Sequence, residues 1–199
     1  MPQNYLIVIA ALLVGVLAAP GFAAVPPPDS PAAKAEAKKL DRLPPIAPRG
    51  RVWIDHSGRK EAGHASWYGP GFAHHVMANG DRMNPHSDVA ASKTLPLGTT
   101  ATVTNLRNGR SAEVRIEDRG PFVGSRMMDV SPQVATELGL KKHGVAPVVV
   151  KPIAVPQPDG QVKLGAGAAD ATPQQIQQAT RTTRALLDKH QAVETASRR

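Results

Sequence analysis

The sequence predicts a mainly β fold, a small closed barrel with one short helix. The segments "TATVTN" (100–105) and "SAEVRIE" (111–117) alternate apolar and polar residues, which is the period of a strand with one buried face. The segment "APVVVKP" (146–152) carries three consecutive valines, which is typical of a strand buried on both faces. Short strands joined by tight turns favour a closed barrel, because closure removes the exposed edges of a small sheet.

The chain opens with an apolar run, "YLIVIAALLVGVLAA" (5–19), and small residues follow it up to Ala24. The run is short for a helix that crosses about 30 Å of hydrocarbon, so residues 1–24 are predicted to be a secretory signal peptide rather than a retained anchor. We therefore expect export across the inner membrane, into the periplasm or beyond it. The sequence contains no cysteine, which excludes disulfides and a lipid-modified cysteine.

Two segments without a sustained apolar face flank the predicted barrel. Residues 25–62 combine Pro, Ala and charged residues, and residues 154–172 are rich in Gly, Ala, Pro and Asp. Such segments bury too little surface to offset the entropy of ordering, so both are predicted to be disordered linkers. Thr172, Pro173 and Gln175 then form the pattern of a capping box, so the tail (154–199) is predicted to end in a helix that is free or lies on the surface.

Residues 63–153 remain for one compact domain, which is enough for a small hydrophobic core. Within it, Asn108-Gly109 predicts a type I′ hairpin turn between the two alternating strands. Ser131 is a suitable N-cap, Pro132 is suited to the first turn of a helix, and Gly139 is suited to its end. These signals predict the single helix of the barrel domain.

The chain is basic, with a formal net charge of +8 and an aromatic content of 4%. The charge is compatible with attraction to a polyanionic surface such as a cell wall, and equally with an ordinary soluble basic surface. Aromatic residues that could stack on bases are scarce and no nucleic-acid-binding motif occurs. Nucleic acid is therefore excluded as an expected partner.

Several long segments carry a family resemblance. The stretches "GHASWYGPGF", "ANGDRMN", "AASKTLPLGTTATVTNLRNGRSAEVRIEDRGPFVGSRMMDVS" and "GVAPVVV" resemble the rare lipoprotein A family, the septal-ring lytic transglycosylases of the bacterial envelope. The resemblance covers residues 63–153. It implies a six-stranded double-psi β-barrel whose groove holds peptidoglycan glycan strands. It also implies a cell-wall-associated protein of the periplasm, with no integral membrane partner.

The resemblance implies that Asp118, the aspartate of "DRGPF", is the catalytic acid/base. A lytic transglycosylase protonates the glycosidic oxygen between N-acetylmuramic acid and N-acetylglucosamine, then removes the proton of the C6 hydroxyl as a 1,6-anhydro ring closes. One carboxylate can serve both steps, because the nucleophile belongs to the substrate and is already oriented. The family's second acidic position falls at Asp81, where glutamate is usual, and we expect Asp81 to assist.

The predicted substrate-binding residues surround these two acids. Ser92 stands where the family usually has histidine, and His75 is a candidate replacement for a family arginine. The remaining members are Trp67, Tyr68, Asn79 and Arg119. Residue types alone leave other readings open, since Asp118 could cap a turn or pair with Arg119, the two aromatic residues are more often core, and Asn79 is typical of a turn.

The departures at Asp81 and Ser92 favour a second function class, a non-catalytic, expansin-like barrel that binds peptidoglycan without cutting it. A metal site made of His74, His75, Asp81 and His86 is a further alternative. Adjacent histidines point apart on an extended strand, and neither H-x-H nor H-E-x-x-H spacing occurs. We therefore expect no metal and no cofactor.

Overall fold

The computed structural model describes residues 53–122 and 124–197, together with Pro31 and Ala35. The predicted signal peptide and, apart from Pro31 and Ala35, the first predicted linker as far as residue 52 lie outside these residues. The described part contains strands and helices in the following order: β1 (Glu61–Trp67), β2 (Val89–Ser92), β3 (Thr100–Asn105), β4 (Ser111–Arg119), β5 (Arg126–Val130), α1 (Pro132–Glu137), β6 (Ala146–Pro156), β7 (Val162–Leu164) and α2 (Pro173–Ser197). Short 3-10 helices occur at Pro70–Phe72 and Ala166–Ala169.

Six of the described strands close into a barrel. Their order is β1-β5-β2-β4-β3-β6, and β6 pairs back onto β1, while β7 extends the sheet beyond β6. Two pairs, β1–β5 and β2–β4, are parallel, and the other pairs are antiparallel. The predictions of a mainly β fold and of a six-stranded double-psi barrel are confirmed.

The barrel interior is filled by the apolar residues that the alternation predicts. Val103 on β3, Ile116 on β4, Met128 on β5 and Val148 on β6 are each fully shielded from solvent. The polar residues between them, such as Glu113, face outward. Packing in this core fixes the positions of the strands, and therefore the positions of the polar side chains at their ends.

The connection between β3 and β4 differs from the predicted type I′ turn. A type I′ turn requires positive φ at both central residues, and Gly109 has φ 70° whereas Asn108 is not in the positive-φ region. The connection is longer, and it is closed by hydrogen bonds from the Asn105 N–H to the Arg110 carbonyl (2.9 Å) and from the Gly109 N–H to the Asn105 carbonyl (2.8 Å). Only one residue of the loop needs the left-handed conformation, and glycine supplies it.

Helix α1 begins and ends where the sequence predicts. The Ser131 side chain accepts a hydrogen bond from the Val134 N–H (3.2 Å), and Pro132 occupies the first helical position. The helix ends before Gly139, whose φ is 69°. Val134 and Leu138 are completely buried, so α1 covers one side of the barrel core.

The prediction that residues 154–172 form a disordered linker is wrong along most of that segment. Strand β6 continues through Pro156, and β7 and the 3-10 helix at Ala166–Ala169 then pack against it. The glycines that suggested flexibility instead allow close packing, because a Cβ atom on Gly167 would lie 2.5 Å from the Lys151 carbonyl oxygen. The lead-in before β1 is also packed, and the Gly58 carbonyl accepts a hydrogen bond from the Ala166 N–H (2.8 Å).

Helix α2 is docked on the barrel. The predicted capping box is present, with the Gln175 N–H donating to Thr172 Oγ1 (3.3 Å) and the Thr172 N–H donating to Gln175 Oε1 (2.9 Å). Buried Thr183 hydrogen-bonds Thr100 of β3 (3.0 Å), and buried Ala179 packs beside it. Of the helices in the described residues, none combines the length and the apolar character that a membrane crossing requires.

Candidate active site

A cavity of about 390 Å³ opens at one end of the barrel, and we call it the acidic cavity. Its walls come from the end of β1, the loop after it, the end of β4 and the neighbouring strand β5. The parallel pairings bring these chain segments together, because each places the ends of two strands at the same edge of the sheet. Two carboxylates line the cavity, Asp118 of β4 and Asp129 of β5.

Asp118 is held by three hydrogen bonds from three different places. Its Oδ2 accepts from the Tyr68 hydroxyl (2.9 Å), and its Oδ1 accepts from the backbone N–H groups of Ala78 and Arg119 (both 2.8 Å). The carboxylate is thereby fixed to the residue that follows β1, to a later point of the same loop and to its own strand. Such a fixed group at a cavity wall has the geometry that an acid/base residue requires.

Tyr68 is a permanent donor in this arrangement. Burial raises the pKa of Tyr68, and the charge of Asp118 and the hydrogen bond to it raise it further. The phenol therefore remains protonated at physiological pH. Tyr68, predicted to bind substrate, thus lines the acidic cavity and also orients Asp118.

Asp129 is a site residue that the sequence reasoning missed. Its Oδ1 accepts hydrogen bonds from the Ser66 hydroxyl and from the Arg126 guanidinium, the latter at 3.0 Å. Burial raises its pKa, the bonds from Ser66 and Arg126 oppose that shift, and the charge of Asp118 adds to it. Asp129 lies between buried Met128 and Val130, so its strand position alone indicated a solvent-facing residue.

Asp81 lies outside the lining of the acidic cavity. Lys189 of α2 contacts both of its carboxylate oxygens, at 2.6 and 2.7 Å, and Asn79 Nδ2 donates to Oδ2 (3.1 Å). Asn79 is itself buried, and its Nδ2 also donates to Glu117 (2.9 Å) while its Oδ1 accepts from the Asp81 N–H (2.9 Å). Asn79 therefore serves as a turn residue, and the geometry does not support its predicted contact with substrate.

Ser92 lies beneath the site rather than on its wall. Its side chain is fully buried, and its Oγ accepts hydrogen bonds from the N–H groups of Thr94 (3.3 Å) and Leu95 (3.1 Å). The structure does not support the predicted contact between Ser92 and substrate, because a residue with no exposed surface cannot reach a ligand. Serine suits this position because its short side chain closes the turn after β2.

Arg119 lines the acidic cavity, as its predicted binding role requires. Its Nη1 donates to the carbonyl oxygens of Leu95 and Ser92, which anchors the guanidinium to the turn after β2. Burial lowers the pKa of Arg119, and the charge of neighbouring Asp118 opposes that shift. The half-buried cation lies beside the proposed acid without forming a close ion pair within the described residues.

The rim of the acidic cavity is aromatic. Trp67 and His75 line it as predicted, and the Phe72 ring lies 5.9 Å from the ring centroids of both Tyr68 and His75. Phe72 and Phe122 are about half exposed, at 53% and 52%, and neither was predicted as a site residue. Exposed rings at a cavity mouth can stack on the apolar faces of sugar rings.

The metal alternative finds no support in the geometry. Across residues 53–122 and 124–197, no group of three or more His, Cys, Asp or Glu side chains is arranged to hold a metal ion. His74 adopts a left-handed φ of 66°, and of the two adjacent histidines only His75 lines the acidic cavity. Asp81, a member of the alternative metal set, pairs with Lys189 instead.

A family model described as lytic transglycolase matches residues 60–150. The relatives include the probable endolytic peptidoglycan transglycosylase RlpA of Synechocystis sp., 51% identical over 92 residues, which are 46% of this chain and 29% of the relative. The endolytic peptidoglycan transglycosylase RlpA of Campylobacter jejuni is 46% identical over 91 residues (46% and 33%), and that of Vibrio cholerae is 41% identical over 108 residues (54% and 41%). The chain thus spans less than half the length of these relatives.

Among solved structures, the Streptomyces papain inhibitor is similar with a TM-score of 0.37 and 25% identity, over 47% of this chain and 94% of that one. The sequence relatives are more informative, because their identities of 41% to 51% fall on the barrel that carries the acidic cavity. The "DRGPF" aspartate and its strand lie inside the matched residues. Residues 60–150, which carry the barrel and the acidic cavity, are therefore similar to the lytic transglycolase family model and to the barrel segments of these endolytic peptidoglycan transglycosylases.

Proposed function

We propose that this protein cleaves the glycan strands of peptidoglycan as a lytic transglycosylase. The observation that carries the proposal is the pair of carboxylates, Asp118 and Asp129, in one cavity of a barrel that matches this family model. The curated relatives named above are endolytic peptidoglycan transglycosylases by name, which supports peptidoglycan as the substrate. Because peptidoglycan lies in the periplasm, we propose that the protein acts there, in association with the cell wall.

In the proposed reaction Asp118 donates a proton to the glycosidic oxygen of the β-1,4 bond between N-acetylmuramic acid and N-acetylglucosamine. The bond to that oxygen breaks, and Asp118, now a carboxylate, accepts the proton of the C6 hydroxyl. The C6 oxygen attacks the anomeric carbon of the same muramic acid and closes the 1,6-anhydro ring. No water enters, so no second carboxylate is needed to activate one.

Asp129 is the second carboxylate of the acidic cavity. Burial raises its pKa, and the charge of Asp118 adds to that shift because two ionised carboxylates in one cavity repel each other. We propose that Asp129 assists Asp118 in the proton transfer of the first step.

The remaining cavity residues suit a carbohydrate. Phe72 and Phe122 offer exposed rings at the mouth, and Arg119 and Arg126 offer guanidinium donors beside the carboxylates. Aromatic platforms together with a few fixed donors are the usual means of orienting a polar ligand with apolar faces. Asp81 does not line the cavity, so we propose that it holds the loop above the site rather than acting on the substrate.

A second candidate is an expansin-like barrel that binds glycan without cutting it. Both residues that depart from the family pattern make structural contacts, and this observation favours the second candidate. Asp81 forms an ion pair with Lys189, and Ser92 accepts a hydrogen bond from its own turn. The two positions that vary from the family pattern thus carry structural contacts in this chain. The acidic cavity is the same in both proposals, and the products of the reaction distinguish them.

The test is incubation of the full chain with peptidoglycan sacculi, followed by mass spectrometry of the soluble products. We expect products that end in 1,6-anhydro-N-acetylmuramic acid, and an at least about 100-fold lower rate for Asp118→Asn, because general acid–base catalysis contributes that much. Asp159→Asn is the matched control, since Asp159 lies in the turn before β7, outside the acidic cavity, and its Oδ1 accepts a hydrogen bond from the Gln161 N–H (2.9 Å).

Other products would decide against the proposal in specific ways. Ordinary reducing ends would indicate hydrolysis, with water rather than the C6 hydroxyl as the nucleophile. Tight binding to sacculi without any soluble product would establish the non-catalytic barrel. Full activity in Asp118→Asn would remove that residue from the reaction.

A further inference from the structure

Strand β4 carries a buried carboxylate that the proposed reaction does not use, that of Glu117. Its side chain is 8% exposed and precedes Asp118 in the chain, but it does not line the acidic cavity. Arg115 Nε donates to its Oε1 (2.7 Å), and Asn79 Nδ2 donates to its Oε2 (2.9 Å). A buried carboxylate is costly unless it is paired and hydrogen-bonded, and these two contacts offset the cost of burying Glu117.

A β-bulge occurs at Glu117. The register between β2 and β4 skips this residue, so Glu117 has no partner on β2. The pairs on either side of it are Ala90–Ile116 and Ala91–Asp118. A bulge interrupts the ladder and leaves the extra residue available for other contacts, often next to an active site. The Glu117 carbonyl accordingly accepts a hydrogen bond from the Asn79 N–H (3.2 Å).

Glu117 therefore holds one residue of the loop between β1 and β2 at two points. Its carbonyl binds the backbone N–H of Asn79, and its carboxylate binds the side-chain amide of Asn79. Ala78, the preceding loop residue, donates its own N–H to Asp118 Oδ1 (2.8 Å). Two neighbours on the strand thus bind two neighbours on the loop, and the donor that serves the proposed acid is fixed through the residue beside it.

The bonds to Glu117 differ from the other hydrogen bonds of this loop. The Met77 N–H donates to the Asp81 carbonyl (2.8 Å) and the Gly80 N–H donates to the Met77 carbonyl (2.9 Å), so these bonds join loop residues to one another. The bonds between Asn79 and Glu117 join the loop to β4, the strand that carries Asp118. They therefore set the position of the loop relative to the proposed acid.

We propose that Glu117 is a positioning residue for the reaction, which holds the loop so that the Ala78 N–H stays on Asp118. The proposal rests on the function proposed above, in which Asp118 is the acid/base. Arg115 fixes one oxygen of the Glu117 carboxylate and leaves the other for Asn79. A donor that is already in place needs no reorganisation during proton transfer, and a small displacement of a reacting group lowers the rate strongly.

Amide hydrogen exchange of Ala78 in the full chain tests the contact. In Glu117→Gln the side chain keeps one acceptor oxygen for two donors, because its amide nitrogen cannot accept. We expect the Ala78 amide to exchange at least about tenfold faster relative to the Val103 amide of the barrel core, which corrects for any change in global stability. An unchanged ratio would overturn the proposal.

Glu113→Gln is the matched control for this substitution. Glu113 lies on the same strand, is exposed, and loses the same charge. We expect the ratio of Ala78 to Val103 exchange in Glu113→Gln to equal that of the wild-type chain. An equal rise in both variants would show that the loss of a negative charge on β4 is sufficient, and would reject the specific role of Glu117.

Steady-state kinetics with a soluble glycan oligosaccharide separates positioning from general support of the fold. We expect Glu117→Gln to lower kcat at least about tenfold and to leave KM within about twofold, because the Ala78 N–H binds Asp118 rather than the sugar. Glu113→Gln should retain the wild-type kcat. A change confined to KM would mean that the loop only forms a wall for the substrate, which contradicts the proposal.

The two measurements separate this proposal from the proposed function. If the wild-type chain releases no product, the transglycosylase is rejected, and amide exchange still decides whether Glu117 holds the Ala78 N–H on Asp118. If product forms and Glu117→Gln retains the wild-type kcat, the transglycosylase stands and the positioning role is rejected.

Discussion

Asp118 and Asp129 reach one cavity from two strands that are not paired with each other. Asp118 lies on β4 and Asp129 on β5, and strand β2 lies between them, paired parallel to β4 and antiparallel to β5. Ala91 of β2 is the residue that pairs with both acids. A small residue at this point leaves room for two carboxylates above it, and Ala91 indeed lines the cavity.

Substituting Asp129 is expected to change how stability depends on pH. Burial raises the pKa of Asp129 above its unfolded value, so its contribution to stability is fully present below the unfolded pKa and is lost as pH rises through the folded pKa. Asparagine does not ionise, so in Asp129→Asn the fall in Tm on raising the pH should be smaller. Calorimetry between about pH 4 and pH 8 measures it.

The same substitution should slow glycan cleavage by about tenfold, less than Asp118→Asn does, because Asp129 assists the proton donor rather than replacing it. Asp159→Asn again provides the control. An unchanged dependence of Tm on pH in Asp129→Asn would show that burial does not shift this carboxyl.

At the level of single residues, the sequence predicted the position of Asp118 and the aromatic wall but not the internal contacts. Trp67, Tyr68, His75 and Arg119 all line the acidic cavity. Ser92 points inward because its turn is closed by its own hydroxyl, a contact that no pattern of residue types reveals. Asp129 was missed because alternation distinguishes two faces of a strand and cannot distinguish solvent from a cavity.

At the level of elements, helix α2 fastens the loop that covers the site. Lys189 binds Asp81, and the backbone around Asp81 closes the loop through the Met77 N–H, which donates to the Asp81 carbonyl (2.8 Å). Met77 lines the acidic cavity. The tail helix is therefore coupled to a wall of the acidic cavity through the ion pair between Lys189 and Asp81.

Lys189→Ala tests this coupling. The pair is exposed, so we expect the free energy of unfolding to change by less than about 1 kcal/mol. Hydrogen exchange at the Met77 amide should nevertheless become faster, because the loop loses its attachment to α2. Lys142→Ala, on an exposed loop, is the matched control. Unchanged exchange in Lys189→Ala would show that the loop is held by its own hydrogen bonds alone.

The elements themselves were predictable to different degrees. The strands within the barrel and helix α1 follow from alternation and capping, because one buried core imposes both. Strand β7 and the true end of β6 were not predictable, since Gly165 and Gly167 are equally typical of a flexible linker. Contact with β6 distinguishes a packed segment from a flexible linker. The Gly165 N–H donates a hydrogen bond to the Ile153 carbonyl of β6 (3.0 Å).

At the level of the whole molecule, the barrel and the segments around it form one packed unit. A Cβ atom on Gly165 would lie 2.5 Å from the Pro152 carbonyl oxygen and 2.9 Å from that of Gly58. Strand β6, the lead-in before β1 and the tail therefore pack together at Gly165 and Gly167. All three segments also line one cavity, to which the lead-in contributes His56, β6 contributes Pro156 and the tail contributes Leu187.

Gly167→Ala should destabilise the whole protein. The added Cβ would lie 2.5 Å from the Lys151 carbonyl oxygen, which is backbone and cannot move aside. We expect the free energy of unfolding to fall by about 1–3 kcal/mol, the usual cost of overpacking. Denaturant unfolding measures it, with Gly71→Ala as the control because no atom lies within 4 Å of a Cβ there. Equal stability of the two variants would contradict the packed junction.

The closure of the barrel through β1 has a consequence for how the chain folds. Strand β1 pairs only with β5 and β6, so Glu61 meets Val150 and His64 meets Arg126. Neither partner exists until most of the domain has been synthesised, and folds dominated by such distant pairings form in about milliseconds to seconds. The first strand can therefore form its native pairs only after β5 and β6 have been synthesised, so closure of the barrel comes after local pairings such as the β3–β4 hairpin become possible.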